Sequence, residues 1–292
     1  MKVIQVLPAL ESGGVERGTL EIARALVHAG HESWVLSAGG KLTAQLEAEG
    51  SRHLCWDLGR KSLLTLLQVR KLRRFLVEQR FDIIHVRSRM PAWVVWLAWR
   101  GMNPRTRPRL VSTVHGFYSV NRYSEIMTCG ERVIAVSEAI QSYIAQNYPR
   151  VDQSRLRLIY RGIDPNEFPA NFVASEHWQQ TWYAAFPGLK DQLVVTLPGR
   201  LTRLKGHGEF LEAIAALRAQ GLAVKALIVG GEDPKRLSYA REVYQQVAAL
   251  SLQDAVVFCG ARADMKEIYS VSNVVVSLSS KPESFGRTVL EA

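Results

Sequence analysis

The sequence predicts an α/β protein of two doubly wound domains, residues 1–165 and 166–292, facing a cleft. Three observations predict it. Short β-branched runs alternate with amphipathic stretches along nearly the whole chain. The alternation breaks between residues 161 and 190 into glycine, proline and polar residues, around an aromatic stretch with Trp178, Trp182 and Tyr183. It then restarts, and 292 residues that are 47% hydrophobic suffice to fill two cores.

Taken in order, residues 3–7 read as a strand and 15–29 as a helix closed by Gly30. A strand at 33–37, a helix at 41–49 and a longer helix at 63–79 follow. Residues 83–86 form a strand and 93–100 a helix. Strands at 110–114 and 133–136 come next, and Ser137 offers its hydroxyl as N-cap to a helix over 138–147. Residues 156–160 close the first half. In the second half, 194–198, 226–229, 256–259 and 274–278 read as strands, and 207–220, 234–250 and 263–270 as helices. No low-complexity tract or short solenoid repeat interrupts this order.

Composition narrows the partners. Lys and Arg number 37 against 27 Asp and Glu, giving +10. That favours anionic partners: nucleotide phosphates, nucleic acid or an acidic membrane face. No recognised nucleic-acid motif supports the second, so no nucleic-acid partner is expected. Cys55, Cys129 and Cys259 lie far apart, fit no metal spacing and read as buried, reduced thiols of a cytoplasmic protein. The longest apolar run, 90–99, is far short of the roughly 20 residues that span a bilayer. The N-terminus reads as a first strand rather than a signal.

Ligands of such sheets bind beyond the carboxyl ends of the strands, so the residues there are the candidates. Gly13-Gly14 follows the first strand, as a ligand-approaching loop or simply a tight turn. The dinucleotide and P-loop fingerprints are absent. His115 follows the strand at 110–114, either facing the cleft or hydrogen-bonded structurally. Arg200 and Lys205, bracketed by Gly199 and Gly206, can clamp a diphosphate leaving group or stand solvated on a loop. Gly230-Gly231-Glu232 and Arg262-Ala263-Asp264 follow the next two strands, and Asp264 can cap a helix instead. Glu283 and Glu291 flank the run Ser284-Phe285-Gly286, where a turn opens a helix whose free N–H groups suit a phosphate. No Asp-x-Asp pair is present, so no metal is expected and cations take its place. Neither a Gly-x-Ser-x-Gly elbow nor a His-Glu-x-x-His motif is present, which argues against hydrolase and zinc chemistry.

The ordered set G-G-V-E-R, V-H-G, V-I-A-V-S-E, R-G-I-D, G-R-L-T-R-L-K-G, V-G-G-E and P-E-S-F-G-R-T-V-L-E-A resembles the retaining glycosyltransferases of family four, with the GT-B fold of two Rossmann-like domains. The chain is most similar to bacterial lipopolysaccharide-core transferases. The resemblance implies that residues 1–165 are the acceptor side and 166–292 the nucleotide-sugar side, incomplete at its end. It implies that Arg200 and Lys205 hold the donor diphosphate, that Glu283 binds the donor sugar and that Glu291 binds the ribose. Ser284, Phe285 and Gly286 would lie beside sugar and phosphates. Gly230, Gly231, Arg262 and Asp264 would frame the base. Gly13 and Gly14 would approach the phosphates, and His115 the reaction centre. It implies no cofactor beyond a UDP- or GDP-sugar as substrate, with transfer to a glycan or lipid-linked acceptor in cell-envelope synthesis. Arg161 stands where the family more often has asparagine.

The stretch from Arg60 to Arg80 mixes Arg60, Lys61, Arg70, Lys71, Arg73, Arg74 and Arg80 with leucines and Phe75. It reads as a sheet-covering helix with a basic face, or as a helix that rests on the anionic inner face of the cytoplasmic membrane. Two other readings stay open: a sugar-nucleotide epimerase on the same fold, and a non-catalytic nucleotide-sugar binding fragment.

Overall fold

The computed structural model describes residues 1–11, 13–233 and 237–292, with the backbone alone at Leu63. It divides into two compact units, Met1–Arg161 and Gly162–Ala292, against the 165/166 boundary read from sequence.

The first unit runs β1 (Lys2–Val6), α1 (Gly14–His28), β2 (Glu32–Ser37), α2 (Thr43–Ala48), β3 (Arg52–Cys55), α3 (Leu63–Leu67), α4 (Val69–Gln79), β4 (Ile83–Val86) and α5 (Arg89–Arg100). It continues through β5 (Arg109–Val114), α6 (Arg122–Glu125), β6 (Arg132–Ala135), α7 (Glu138–Asn147) and β7 (Leu156–Leu158). All seven strands are parallel, in the order β3-β2-β1-β4-β5-β6-β7. Parallel strands covered by crossover helices on both faces need apolar side chains facing both ways. Accordingly Ile4, Ile84 and Leu110 sit side by side in register, all fully buried. One face packs on Leu72, Leu76, Trp99 and Ile140, and the other on Leu20, Ala23 and Leu46. The strand order reverses between β1 and β4, which opens a crevice at their carboxyl ends.

The second unit runs α8 (Glu176–Ala185), β8 (Leu193–Pro198), α9 (His207–Ala219), β9 (Val224–Val229), α10 (Leu237–Ala249), β10 (Val256–Phe258), α11 (Met265–Ser270), β11 (Val274–Val275) and α12 (Arg287–Glu291). Its parallel sheet has the order β10-β9-β8-β11, so the reversal falls between β8 and β11. Of the helix read over 234–250, residues 234–236 lie outside the described residues.

The structure departs from the sequence reading at several elements. The helix read over 63–79 is two, because Gln68 turns to accept from Trp56 Nε1 and to donate to Asp57 O at 3.4 Å. The edge strand β3 was missed, since Arg-His-Leu-Cys carries no apolar alternation. Helix α8 lies inside the stretch read as linker. Ser175 caps it by accepting from Trp178 N, and its Trp182 is buried against Leu189, Val194 and Leu227. The strand read over 274–278 pairs only at Val274–Val275, with one more bond from Val276 N to Thr196 O at 2.9 Å.

Arg73, read from sequence as part of a basic membrane face, turns inward. It donates to Ala98 O at 3.1 Å, placing its charge at the carboxyl end of α5, where a cation is favoured. Leu72 and Leu76 of the same helix are core residues. Cys55 is exposed, whereas burial pushes the Cys129 thiol up to about 12 and that of Cys259 up to about 11.

Candidate functional site

Two loop clusters at strand carboxyl ends carry the candidates, one in each unit. In the second unit the chain leaves β8 at Gly199-Arg200 and makes a short turn over Arg203–Lys205. That turn ends at Gly206, in left-handed backbone with φ 71°. A Cβ at Gly206 would lie 2.0 Å from the backbone oxygen of Leu278, so only glycine lets the two loops touch. A second close approach locks the next loop. A Cβ at Gly230 would lie 1.9 Å from Gly199 O. Gly231 accepts from Leu201 N at 3.1 Å. Gly230 and Gly231 are thereby seen first as packing residues that fix where Arg200 leaves the sheet.

The loop after β11 is tied to the same turn, with Ser280 N donating to Leu204 O at 2.9 Å. This brings Glu283 to Lys205: Nζ donates to Oε1 at 2.6 Å, and both side chains are only about a fifth exposed. Ser279 donates to the same oxygen. Burial pushes the Glu283 carboxyl up, but the bonds from Lys205 and Ser279 and the lysine charge outweigh it, leaving the group below its ordinary range. Arg200 is exposed and has no carboxylate within ion-pair distance among the described residues. Thus Lys205 and Glu283 meet, and Arg200 stands beside them in the chain with its charge uncommitted.

The remaining candidates of this unit are mostly engaged. Arg262 forks onto Asp264, at 2.9 Å from Nε to Oδ1 and 2.6 Å from Nη2 to Oδ2. Asp264 also accepts from Trp178 Nε1 at 2.8 Å. These bonds overcome the burial that would raise its pKa and hold its carboxyl below the usual range. Its side chain makes no capping bond to α11. Ser284 and Phe285 lie in the turn before α12, and Gly286, with φ 75°, begins that helix without a side-chain cap. Glu291 accepts from Arg287 and, at 3.5 Å, from Tyr269 OH. Glu283 and Glu291 therefore have different partners.

In the first unit, Gly13 precedes α1 without a side-chain cap, and Gly14 opens it. His115 follows β5. Its backbone N–H donates to Tyr118 OH at 3.2 Å, but both ring nitrogens are buried without a hydrogen-bond partner. Burial, with the charges of Arg87 and Arg161 behind it, drives its pKa well below 6.5, so the ring is neutral at neutral pH. His85 is likewise lowered by burial and bonds Thr113 Oγ1 at 2.7 Å.

Sequence reasoning missed Arg87 and passed over Arg161. Arg87 follows β4 and is 4% exposed, and its Nη1 donates to Gln5 Oε1 at 3.0 Å. Arg161 reaches the start of α1: its guanidinium lies within 3.3 Å of the place a Cβ at Gly14 would take. Its Nη2 is 3.7 Å from Glu21. The available signal for Arg87 was a charged residue directly after the run Ile-Ile-His-Val, at the strand-order reversal.

The Glycosyltransferase Family 4 model matches residues 12–167, more than half of the chain, and the Glycosyl transferases group 1 model matches residues 181–292. The chain belongs to glycosyltransferase family 4. The crystal structure of a glycosyltransferase from Rickettsia africae ESF-5 superimposes with TM-score 0.85 at 30% identity, covering 99% of this chain and 76% of that one. Anabaena Alr3699/HepE in complex with UDP gives TM-score 0.79 at 25% identity, covering 100% and 78%. Among curated relatives, mannosylfructose-phosphate synthase of Agrobacterium fabrum is 29% identical over 167 residues, 56% of this chain and 35% of that protein. The chain thus spans about a third of that relative's length. With two parallel doubly wound sheets, the fold matches GT-B glycosyltransferase structures.

Proposed function

We propose that the chain is a glycosyltransferase that moves a sugar from a nucleotide-sugar donor, a UDP- or GDP-sugar, to a glycan or lipid-linked acceptor with retention of configuration. The observation that carries this reading is the Lys205–Glu283 contact beside Arg200, beyond the carboxyl end of β8. Family membership supports the reaction class, and the UDP complex of the Anabaena protein supports a nucleotide diphosphate.

In this reading Arg200 and Lys205 take the donor diphosphate, whose charge grows as the sugar leaves. Fixed cations in a partly dry site stabilise that charge without reorganising. Lys205 exchanges its bond to Glu283 for a phosphate oxygen, and Glu283 then accepts from hydroxyls of the donor sugar. Ser284, Phe285 and Gly286 lie along sugar and phosphates, Glu291 takes the ribose, and Gly230, Gly231 and Arg262 border the base. On the first unit, Gly13 and Gly14 offer uncapped N–H groups to phosphate, and neutral His115 offers a donor to the transferred sugar. The bond between the anomeric carbon and the phosphate oxygen breaks, and a bond from that carbon to the acceptor oxygen forms on the same face. The acceptor proton passes to the departing phosphate oxygen. In this reading Glu283 is engaged by hydroxyls of the donor sugar and by Ser279 rather than placed behind the anomeric carbon, which favours this course over a glycosyl-enzyme.

Thermal unfolding with UDP, GDP, ADP and CMP tests the donor. At 100-fold over the dissociation constant, the right nucleotide stabilises by about 2.7 kcal/mol. A cooperative melt unmoved by all four sinks the reading. Product analysis with and without acceptor separates transfer from epimerisation.

The acceptor is proposed to be membrane-anchored, as for lipopolysaccharide core synthesis on the inner face of the cytoplasmic membrane. Arg70, Lys71 and Arg74 are exposed on α4, and Leu64 and Leu67 of α3 are largely exposed beside them in sequence. Each basic residue near an anionic surface contributes ~1 kcal/mol. Changing Arg70, Lys71 and Arg74 to Glu should release the protein from anionic vesicles in a sedimentation assay. Equal sedimentation of variant and wild type refutes the membrane contact.

A further inference from the structure

We propose that Arg87 and Arg161 form an oxyanion seat in the first unit, and that the seat receives a phosphate or carboxylate on the acceptor. The acceptor half of this proposal rests on the transferase reading.

Arg87 is buried, yet no carboxylate lies within ion-pair distance of it among the described residues. Among the described residues its side-chain hydrogen-bond partner is Gln5 Oε1 at 3.0 Å, which is neutral, and its Nε is buried without a bond. A buried guanidinium left so is costly unless a counter-charge arrives. Burial lowers Arg87 to about 9, which still leaves it charged at neutral pH. Further donors lie beside it. Both guanidiniums, of Arg87 and Arg161, come within 3.2 Å of the place a Cβ at Gly18 would take. Glu21 and Glu16 attract Arg87 from beyond ion-pair distance, Glu21 lying 3.7 Å from Arg161 and the Glu16 carboxylate against Gly13. A planar guanidinium fork matches the two oxygens of a phosphate or carboxylate.

The probes are inorganic phosphate and UDP, titrated separately into the full chain as wild type, Arg87→Met and Lys205→Ala. The expected result is a phosphate response kept in Lys205→Ala but weakened roughly 30-fold or more in Arg87→Met, with the UDP response surviving Arg87→Met. The KM for a sugar-phosphate acceptor should rise in Arg87→Met while that for its neutral counterpart stays. An unchanged phosphate response in Arg87→Met overturns the seat. Loss of both phosphate and UDP responses in Arg87→Met assigns it to the donor diphosphate and overturns the acceptor role. Should Arg87→Met fail to melt cooperatively, Arg87→Lys decides: it keeps the charge without the fork, so weaker phosphate binding upholds the seat and unchanged binding overturns it. Absence of any UDP shift ends the transferase reading, while the phosphate arm still decides the seat.

Discussion

In the second unit, Lys205, Arg262 and Arg287 each hold a carboxylate of their own unit, whereas in the first, Arg87 is buried against a neutral glutamine and His115 has no partner for either ring nitrogen. The first arrangement is self-satisfied: a ligand must exchange bonds already made. The second is left incomplete by the protein, so a ligand adds bonds rather than trading them. A cleft cation is therefore read from its partners as well as its position. In the proposed reading Lys205 is the cation that switches partner, and Arg87 the one that stays fixed.

The sharpest way to break this comparison is at Lys205. Lys205→Ala should lower kcat for transfer by about 10²–10³, as loss of one electrostatic donor does elsewhere. A variant within a few-fold of wild type would mean that Arg200 alone carries the diphosphate. Gly206→Ala acts on the same loop through the backbone, since its left-handed conformation and the Leu278 carbonyl leave no room for a methyl group. The expected loss is roughly 1–3 kcal/mol in a denaturant melt. No change in midpoint would show that the loop relaxes freely.

Acid separates the clusters by pH window. His85 and His115 have folded pKa values well below 6.5, so in the window beneath 6.5 the unfolded chain binds protons that the folded chain refuses. Stability contributed there rises with pH and levels off above 6.5. Glu283 is lowered from 4.5, so its contribution is present above 4.5 and is lost as pH falls further. Urea midpoints taken above pH 6.5 and at about pH 5 should differ less in His115→Gln than in wild type, and not in Glu283→Gln. Equal pH dependence in all three would dissociate these groups from acid stability. The smallest effect belongs to Arg203→Ala, which breaks the exposed 2.6 Å pair with Glu242 and should cost under ~1 kcal/mol. A larger loss would show that surface pairing also matters in this loop.

Much of the fold was legible because buried parallel strands are apolar on both faces, as the runs at 83–86 and 194–198 show. Ser137 was legible as a cap because its hydroxyl does the local work the sequence implies, accepting from Ile140 N. What could not be read depended on distant partners. Gln68 breaks a helix through a tryptophan twelve positions earlier, and Arg73 serves a helix end 25 positions away. The same holds for the sites. Lys205 and Glu283 were picked from strand-end position and resemblance, but their contact spans 78 residues and is visible only once Gly206 and Leu278 touch. Arg87 looked like one more basic residue in a chain of net charge +10, and its burial sets it apart, whereas Arg161 stood out in sequence only as a replacement for the family's commoner asparagine.

The three thiols described above give the protein a built-in experimental handle. A maleimide reacts with thiolate, and burial keeps Cys129 and Cys259 protonated far above neutral pH while Cys55 stands exposed at the end of the edge strand β3. A fluorophore can therefore be placed on the first unit without engineering a cysteine, leaving both loop clusters unlabelled.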